Sequence, residues 1–123
     1  MEWDQFSVLV VDDEEALAEI CGEVFEMEGF NTKVVNGGPD ALKIINETKI
    51  DVIISDAFMP DMTGIELLEK LTTSEAGVPL FYLATGDIDI SEDALIAKGA
   101  KGLIEKPYSL DDLVERVKKD LQA

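Results

Sequence analysis

The chain has 123 residues, 46% of them hydrophobic, with 27 acidic and 10 basic side chains, no histidine and a formal net charge of −17. That length and apolar content fit one domain with a packed core, while the charge opposes direct nucleic-acid binding and the missing histidine excludes histidine metal sites, triads and general bases. No apolar run approaches the roughly 20 residues of a membrane helix, the acidic start Met1-Glu2-Trp3-Asp4 lacks the basic region of a signal peptide, and the single cysteine, Cys21, points to a reducing cytoplasm.

Residues 6–11 are almost uniformly apolar, as a strand buried on both faces should be, and lead into Asp12-Asp13. A helix follows over 14–28, marked by Ala16, Leu17, Ile20, Cys21, Val24 and Phe25 and stopped by Gly29. Cys21 reads there as helix core, with no cation nearby to lower its pKa. A shorter strand covers 32–35. Pro39 opens a second helix at its first turn, with Ala41, Leu42 and Ile45 inward. The strand at 51–55 delivers Asp56 into the turn-rich segment Ala57-Phe58-Met59-Pro60-Asp61-Met62-Thr63-Gly64, and Ile65, Leu67, Leu68 and Leu71 mark a third helix. The strand at 79–84 leads into Thr85-Gly86-Asp87; Ser91 caps a fourth helix ended by Gly99. A last short strand at 102–104 precedes Lys106-Pro107, an X–Pro bond open to the cis form. Ser109 with Asp112 has the form of a capping box. The helix it opens buries Leu110, Leu113, Val114, Val117 and Leu121 and carries Lys118 and Lys119 near its negative end.

Five βα units in succession imply an α/β fold: a doubly wound parallel sheet with helices on both faces and right-handed crossovers, spanning 1–123 as one domain. In such sheets ligands sit beyond the carboxyl ends of the strands. Asp12, Asp13, Asp56, Thr85 and Lys106 all fall at or just past such ends. Clustered carboxylates repel one another unless a cation is present, and hard oxygens suit Mg²⁺. Asp56 has the chemistry of an oxygen nucleophile toward phosphorus, forming an acyl phosphate. Mg²⁺ and Lys106 would neutralise charge on the phosphoryl oxygens, Thr85 would donate a hydroxyl, and Gly86 would leave room. Blander roles stand beside these. Asp13 suits a helix cap, Thr85-Gly86-Asp87 an ordinary turn, and Lys106 a solvated lysine before Pro107.

These residues carry a resemblance. Val10-Val11-Asp12-Asp13-Glu14, then Asp56-Ala57-Phe58-Met59-Pro60-Asp61-Met62-Thr63-Gly64-Ile65-Glu66, then Lys106-Pro107-Tyr108, with Gly99-Ala100 seven residues before Lys106, follow the order and spacing of a receiver domain of two-component response regulators. The resemblance covers essentially the whole chain and is to the stand-alone, single-domain type. It implies a (βα)5 flavodoxin-like receiver fold with strand order 2-1-3-4-5. It implies a phosphorylation switch in which Asp56 accepts phosphate from a histidine kinase or phosphotransfer protein. Asp13, Asp56 and the Phe58 backbone carbonyl would be the Mg²⁺ ligands, with Asp12 acting through water. Lys106 would pair with a phosphoryl oxygen. Thr85 would follow the phosphate inward and reorganise the surface of the fourth helix, last strand and last helix, where a downstream protein partner binds.

The sequence departs from the pattern twice. Counted from Pro79 or back from Lys106, the switch hydroxyl falls on Ala84. The reading taken is Thr85, since Thr-Gly suits the site and a one-residue loop adjustment is cheap. The usual aromatic switch, three residues before the lysine, is Leu103. Phe58 is expected either to screen the acyl phosphate from water or merely to cover its loop. Ile88, Ile90, Leu103 and Tyr108 form an expected face for a partner or a homodimer. The only catalysis expected is of the chain's own Asp phosphorylation and dephosphorylation. The other readings are a non-phosphorylated binding module, and a phosphatase of the haloacid dehalogenase type, which Phe58 opposes by occupying the position of the second acid.

Overall fold

The apolar strands and amphipathic helices alternate along the whole chain in the structure, a computed structural model that describes residues 2–74, 77–87 and 89–123. A 3₁₀ turn, Trp3–Gln5, precedes β1 (Ser7–Val11), α1 (Glu15–Met27), β2 (Asn31–Val35), α2 (Gly38–Glu47), β3 (Val52–Asp56), α3 (Gly64–Thr72), β4 (Leu80–Thr85), α4 (Glu92–Ala97), β5 (Gly102–Glu105) and α5 (Leu110–Gln122). The strands form one parallel sheet in the order β2-β1-β3-β4-β5. This is the doubly wound, flavodoxin-like receiver topology expected from the sequence. Among the described residues no helix is long and apolar enough to cross a membrane.

Strand alternation divides the core in two. Val8, Val10, Val52, Ile54, Tyr82, Ala84 and Ile104 pack against Ala18, Cys21 and Phe25 of α1 and Leu113, Val114 and Val117 of α5. Leu9, Val11, Ile53, Phe81 and Leu83 face Ala41 of α2, Leu67, Leu68 and Leu71 of α3, and Leu95 of α4. Every residue of β3 is buried, which explains the apolar run Val52-Ile53-Ile54 that leads to buried Ser55 and Asp56.

Several local readings shift. β3 and β4 each run one residue beyond the expected ends, so Asp56 and Thr85 are the last residues of their strands. In α1 the inward face is Ala18, Cys21, Gly22 and Phe25, leaving Leu17 and Ile20 each 49% exposed. The cause is steric. A Cβ on Gly22 would lie 2.5 Å from Val34 Cγ2, so the helix turns its glycine to the sheet. The Ser109–Asp112 pair forms half a capping box: Ser109 Oγ accepts the Asp112 N–H at 3.3 Å. The complete box opens α3, where Thr63 Oγ1 accepts from Glu66 N–H and Glu66 Oε1 accepts from Thr63 N–H, both at 3.1 Å. Glutamate has the extra methylene that the return bond needs. Lys118 turns from the end of α5 to bond Glu28 at 2.7 Å. The Lys106-Pro107 peptide is cis.

Candidate functional site

Three loops at the carboxyl ends of β1, β3 and β5 build the site. Asp12 leaves β1 with its N–H donating to the Val35 carbonyl (3.2 Å) and its Oδ1 accepting from Glu14 N–H (3.0 Å). Its carbonyl accepts from Asn36 Nδ2 at 3.0 Å, which ties the β1–α1 loop to the end of β2. Asn36 escaped the sequence reading. The available signal was its place at the carboxyl end of the second strand, beside a glycine pair. Asp56 ends β3. Beyond it, Ala57 N–H donates to the Ala84 carbonyl (3.0 Å) and Gly64 N–H to the Ala57 carbonyl (2.9 Å). A Cβ at Gly64 would lie 2.5 Å from the Asp56 carbonyl oxygen, so the loop can fold back this closely only over a glycine.

Carboxylate oxygens of Asp12, Asp13 and Asp56 lie within 4.8 Å of one another. Asp12 and Asp56 are buried and Asp13 is exposed. Lys106 Nζ donates to Asp56 Oδ1 at 2.7 Å. Burial pushes the Asp12 carboxyl above its usual range, and the neighbouring Asp56 charge adds to this against the pull of the Glu14 N–H and Lys106. Burial works to lower the Lys106 pKa, but its hydrogen bond to Asp56 and the charges of Asp56, Asp12 and Glu14 outweigh it and hold the ammonium above the ordinary lysine value. Three hard anionic oxygens balanced by one ammonium leave a surplus of negative charge. That donor set fits a divalent cation such as Mg²⁺, which takes carboxylates and keeps several waters.

The family model of the response regulator receiver domain matches residues 8–118. The chain belongs to that family. The sensory transduction protein RegX3 of Mycolicibacterium smegmatis is 32% identical over 112 residues, covering 91% of this chain and 49% of that protein. The response regulator SaeR of Staphylococcus epidermidis is 32% identical over 109 residues, covering 89% and 47%. The chain thus spans about half the length of the curated relatives it matches. Among solved structures, a CheY-like receiver domain from Methanospirillum hungatei superposes with TM-score 0.86 at 28% identity, covering 95% of this chain and 94% of that one. The receiver domain of the Francisella response regulator 1452 gives 0.82 at 32% identity, covering 92% and 93%. The chain is therefore a response regulator receiver domain, a family of signalling switches in two-component systems.

In this receiver the residue opposite Asp56 across the sheet is Ala84. Ala84 shares a face with Val10 and Ile54. Thr85, next along the strand, points to the other face, and its Oγ1 accepts the Asp87 N–H at 3.0 Å. Thr85, Gly86, Ile90, Leu103 and Lys106 line a cavity of about 100 Å³. A Cβ at Gly86 would meet nothing within 4 Å, so glycine is not demanded there by crowding. Of the expected partner face, Ile90, Leu103 and Tyr108 are partly buried and Ile88 lies outside the described residues. On the other side of Lys106, a groove of about 400 Å³ runs between Leu17 and Ile20 of α1 and Pro107, Tyr108 and Leu110, with Asp12 at its edge. Beneath it Cys21 is buried and its thiol is pushed up to about 12 by that burial, which makes it inert.

Proposed function

We propose that this receiver takes a phosphoryl group from a phosphohistidine donor onto Asp56 in a Mg²⁺-dependent reaction. The observation that carries this is Lys106 Nζ 2.7 Å from Asp56 Oδ1, beside two further carboxylates within 4.8 Å, all at strand ends. An Asp56 oxygen attacks phosphorus. The new P–O bond forms as the P–N bond to the donor imidazole breaks, and the ring nitrogen keeps the electron pair. Asp13, Asp56 and the Phe58 carbonyl would hold Mg²⁺, with Asp12 contributing through water. Bound there, the cation supplies positive charge against the phosphoryl oxygens. Lys106 releases its hold on Asp56 Oδ1 and turns to the new charge next to it.

The groove supports a helical donor. Leu17 and Ile20 are each 49% exposed, an apolar strip in the groove that Asp12 and Lys106 also line, with Glu15, Glu19 and Glu23 on the same helix. A histidine kinase or phosphotransfer protein that places apolar helix residues there, flanked by cations, meets complementary charge. Thr85 acts from the α4 side of the sheet through the cavity it shares with Leu103. There the α4–β5–α5 face carries the output to a protein partner or a second copy. Residues 1–123 serve as one receiver unit, working in the cytoplasm alongside its donor.

Incubation with acetyl phosphate and Mg²⁺ tests the reading. The expected result is one phosphate on the parent, released by alkali and by neutral hydroxylamine as an acyl phosphate is, and none on Asp56→Ala. No labelling of the parent, or equal labelling of the variant, defeats it. The second reading, a binding module that keeps the fold without phosphorylation, draws on Ala84 opposite Asp56 and the ringless Leu103. Mg²⁺ binding seen by amide chemical shifts, without any labelling, favours that reading.

A further inference from the structure

β5 is the edge strand of the sheet. An edge strand leaves a row of backbone groups unpaired, which proteins cover or block. Here Leu103 has both of its groups taken by side chains. Its N–H donates to Glu92 Oε2 at 2.8 Å, and its carbonyl accepts from Arg116 Nη1 at 3.0 Å. Arg116 Nη2 closes the ring at 3.5 Å from the same Glu92 oxygen. The carboxylate stands where a neighbouring strand would offer a carbonyl, and the guanidinium where it would offer an N–H. Glu92 and Arg116 together imitate one residue of a sixth strand.

The rest of the network is built to hold Arg116 there. Its guanidinium lies 5.4 Å from the centre of the Tyr82 ring. Tyr82 in turn donates its hydroxyl proton to Asp120 of α5. Gly102 is buried, and a Cβ there would collide with Arg116, so the glycine makes the space the guanidinium fills. Glu92 is the first residue of α4, a helix of six residues with Leu95 as its buried anchor. The Leu103 side chain meanwhile walls the cavity shared with Thr85 and Lys106, and Lys106 bonds Asp56. The residue clamped by its backbone is thus one side chain away from the acceptor's own partner.

The geometry points to a latch. Glu92 and Arg116, closed across the Leu103 peptide, seal the sheet edge and tie α4 to α5 in the free protein. Filling the Asp56 site loosens them by shifting the Leu103 wall of the cavity. This stands in for the ring rotation that Leu103 lacks, and it rests on the phospho-acceptor reading above.

Amide hydrogen exchange at Leu103 tests the latch in the full chain, with thermal melting as a fold control. Glu92→Gln weakens the acceptor at an exposed position, and Arg116→Met removes the donor while keeping its stem. The expected result is Leu103 exchange at least about tenfold faster in both variants, with α3 and β1 amides unchanged. In the parent, Mg²⁺ with beryllofluoride, a phosphoryl mimic, is expected to speed Leu103 exchange in the same direction. Equal Leu103 protection in parent and both variants overturns the latch. So does parent protection that stays fixed while amides around Asp56 shift with beryllofluoride. If the Asp56 amides do not respond at all, the acceptor reading fails and takes the loosening step with it, while the variant data still report whether the clamp holds the edge.

Discussion

Asp12 shows what clustering buried carboxylates costs a fold. Its carboxyl is held above the usual range by burial and by Asp56, so ionisation at neutral pH works against folding. That cost is present above the folded-state pKa and is relieved as pH falls through it. Asp12→Asn removes the charge and keeps an oxygen for the Glu14 N–H. Its melting temperature should rise. Its Mg²⁺ half-saturation should weaken about 10-fold, as for a lost outer-sphere partner. A variant that melts lower would sink this account. Phe58 is the complementary case, an apolar side chain 58% exposed two residues past Asp56, the proposed acceptor. If it keeps water from the acyl phosphate, Phe58→Asn shortens the lifetime of phosphorylated protein; an unchanged decay leaves Phe58 with no such role. The clustering of Asp12, Asp13, Asp56 and Lys106 was legible because the ends of parallel strands converge on one edge of the sheet. Asn36 was not, since an amide that holds a backbone carbonyl looks in sequence like any turn residue. Nor was the way Thr85 points, because facing depends on strand register, and one residue of slip reverses it.

Elements were legible where one force dominates and less so where two compete. Three nearly uniform apolar runs announced β1, β3 and β4, which the helices cover on both faces; β2 and β5, less buried at the sheet edges, left shorter signals. α1 was placed correctly, but its apolar positions did not reveal which of them face inward. Close packing of Gly22 on Val34 fixed the rotation and put Leu17 and Ile20 on the groove instead of in the core. Helix α3 gains its start from a reciprocal cap that the sequence reading passed over in favour of Ser109–Asp112. Thr63→Ala removes the side-chain half of that cap, the bond from Glu66 N–H to Thr63 Oγ1, and should cost about 1 kcal/mol. A drop of about 3 °C in the thermal midpoint by circular dichroism is expected; no drop would mean that the first turn of α3 is held by the loop alone.

The whole chain carries a formal net charge of −17 on 123 residues, and ion pairs such as Lys98–Glu69 and Arg116–Glu92 are exposed on both sides. Self-repulsion of this size is screened by salt, since the Debye length shrinks from about 30 Å at 0.01 M to about 3 Å at 1 M. The melting temperature is therefore expected to climb with sodium chloride between those limits; a flat or falling curve would place the charge in compensating pairs instead. The acidic surface also explains why α1 offers a groove with acids rather than bases around it. At the opposite end of the sheet from Asp56, the lone tryptophan sits in an aromatic nest, its ring 5.3 Å from Phe30 and 6.2 Å from Phe6, with Lys118 Nζ 5.4 Å away. The five residues of β1, about 17 Å of strand, separate that nest from the acid loop. Its fluorescence is thus a gauge of unfolding alone: emission should follow denaturant faithfully and stay silent when the acceptor is loaded, so an optical assay of signalling in this protein has to bring its own chromophore to the other end.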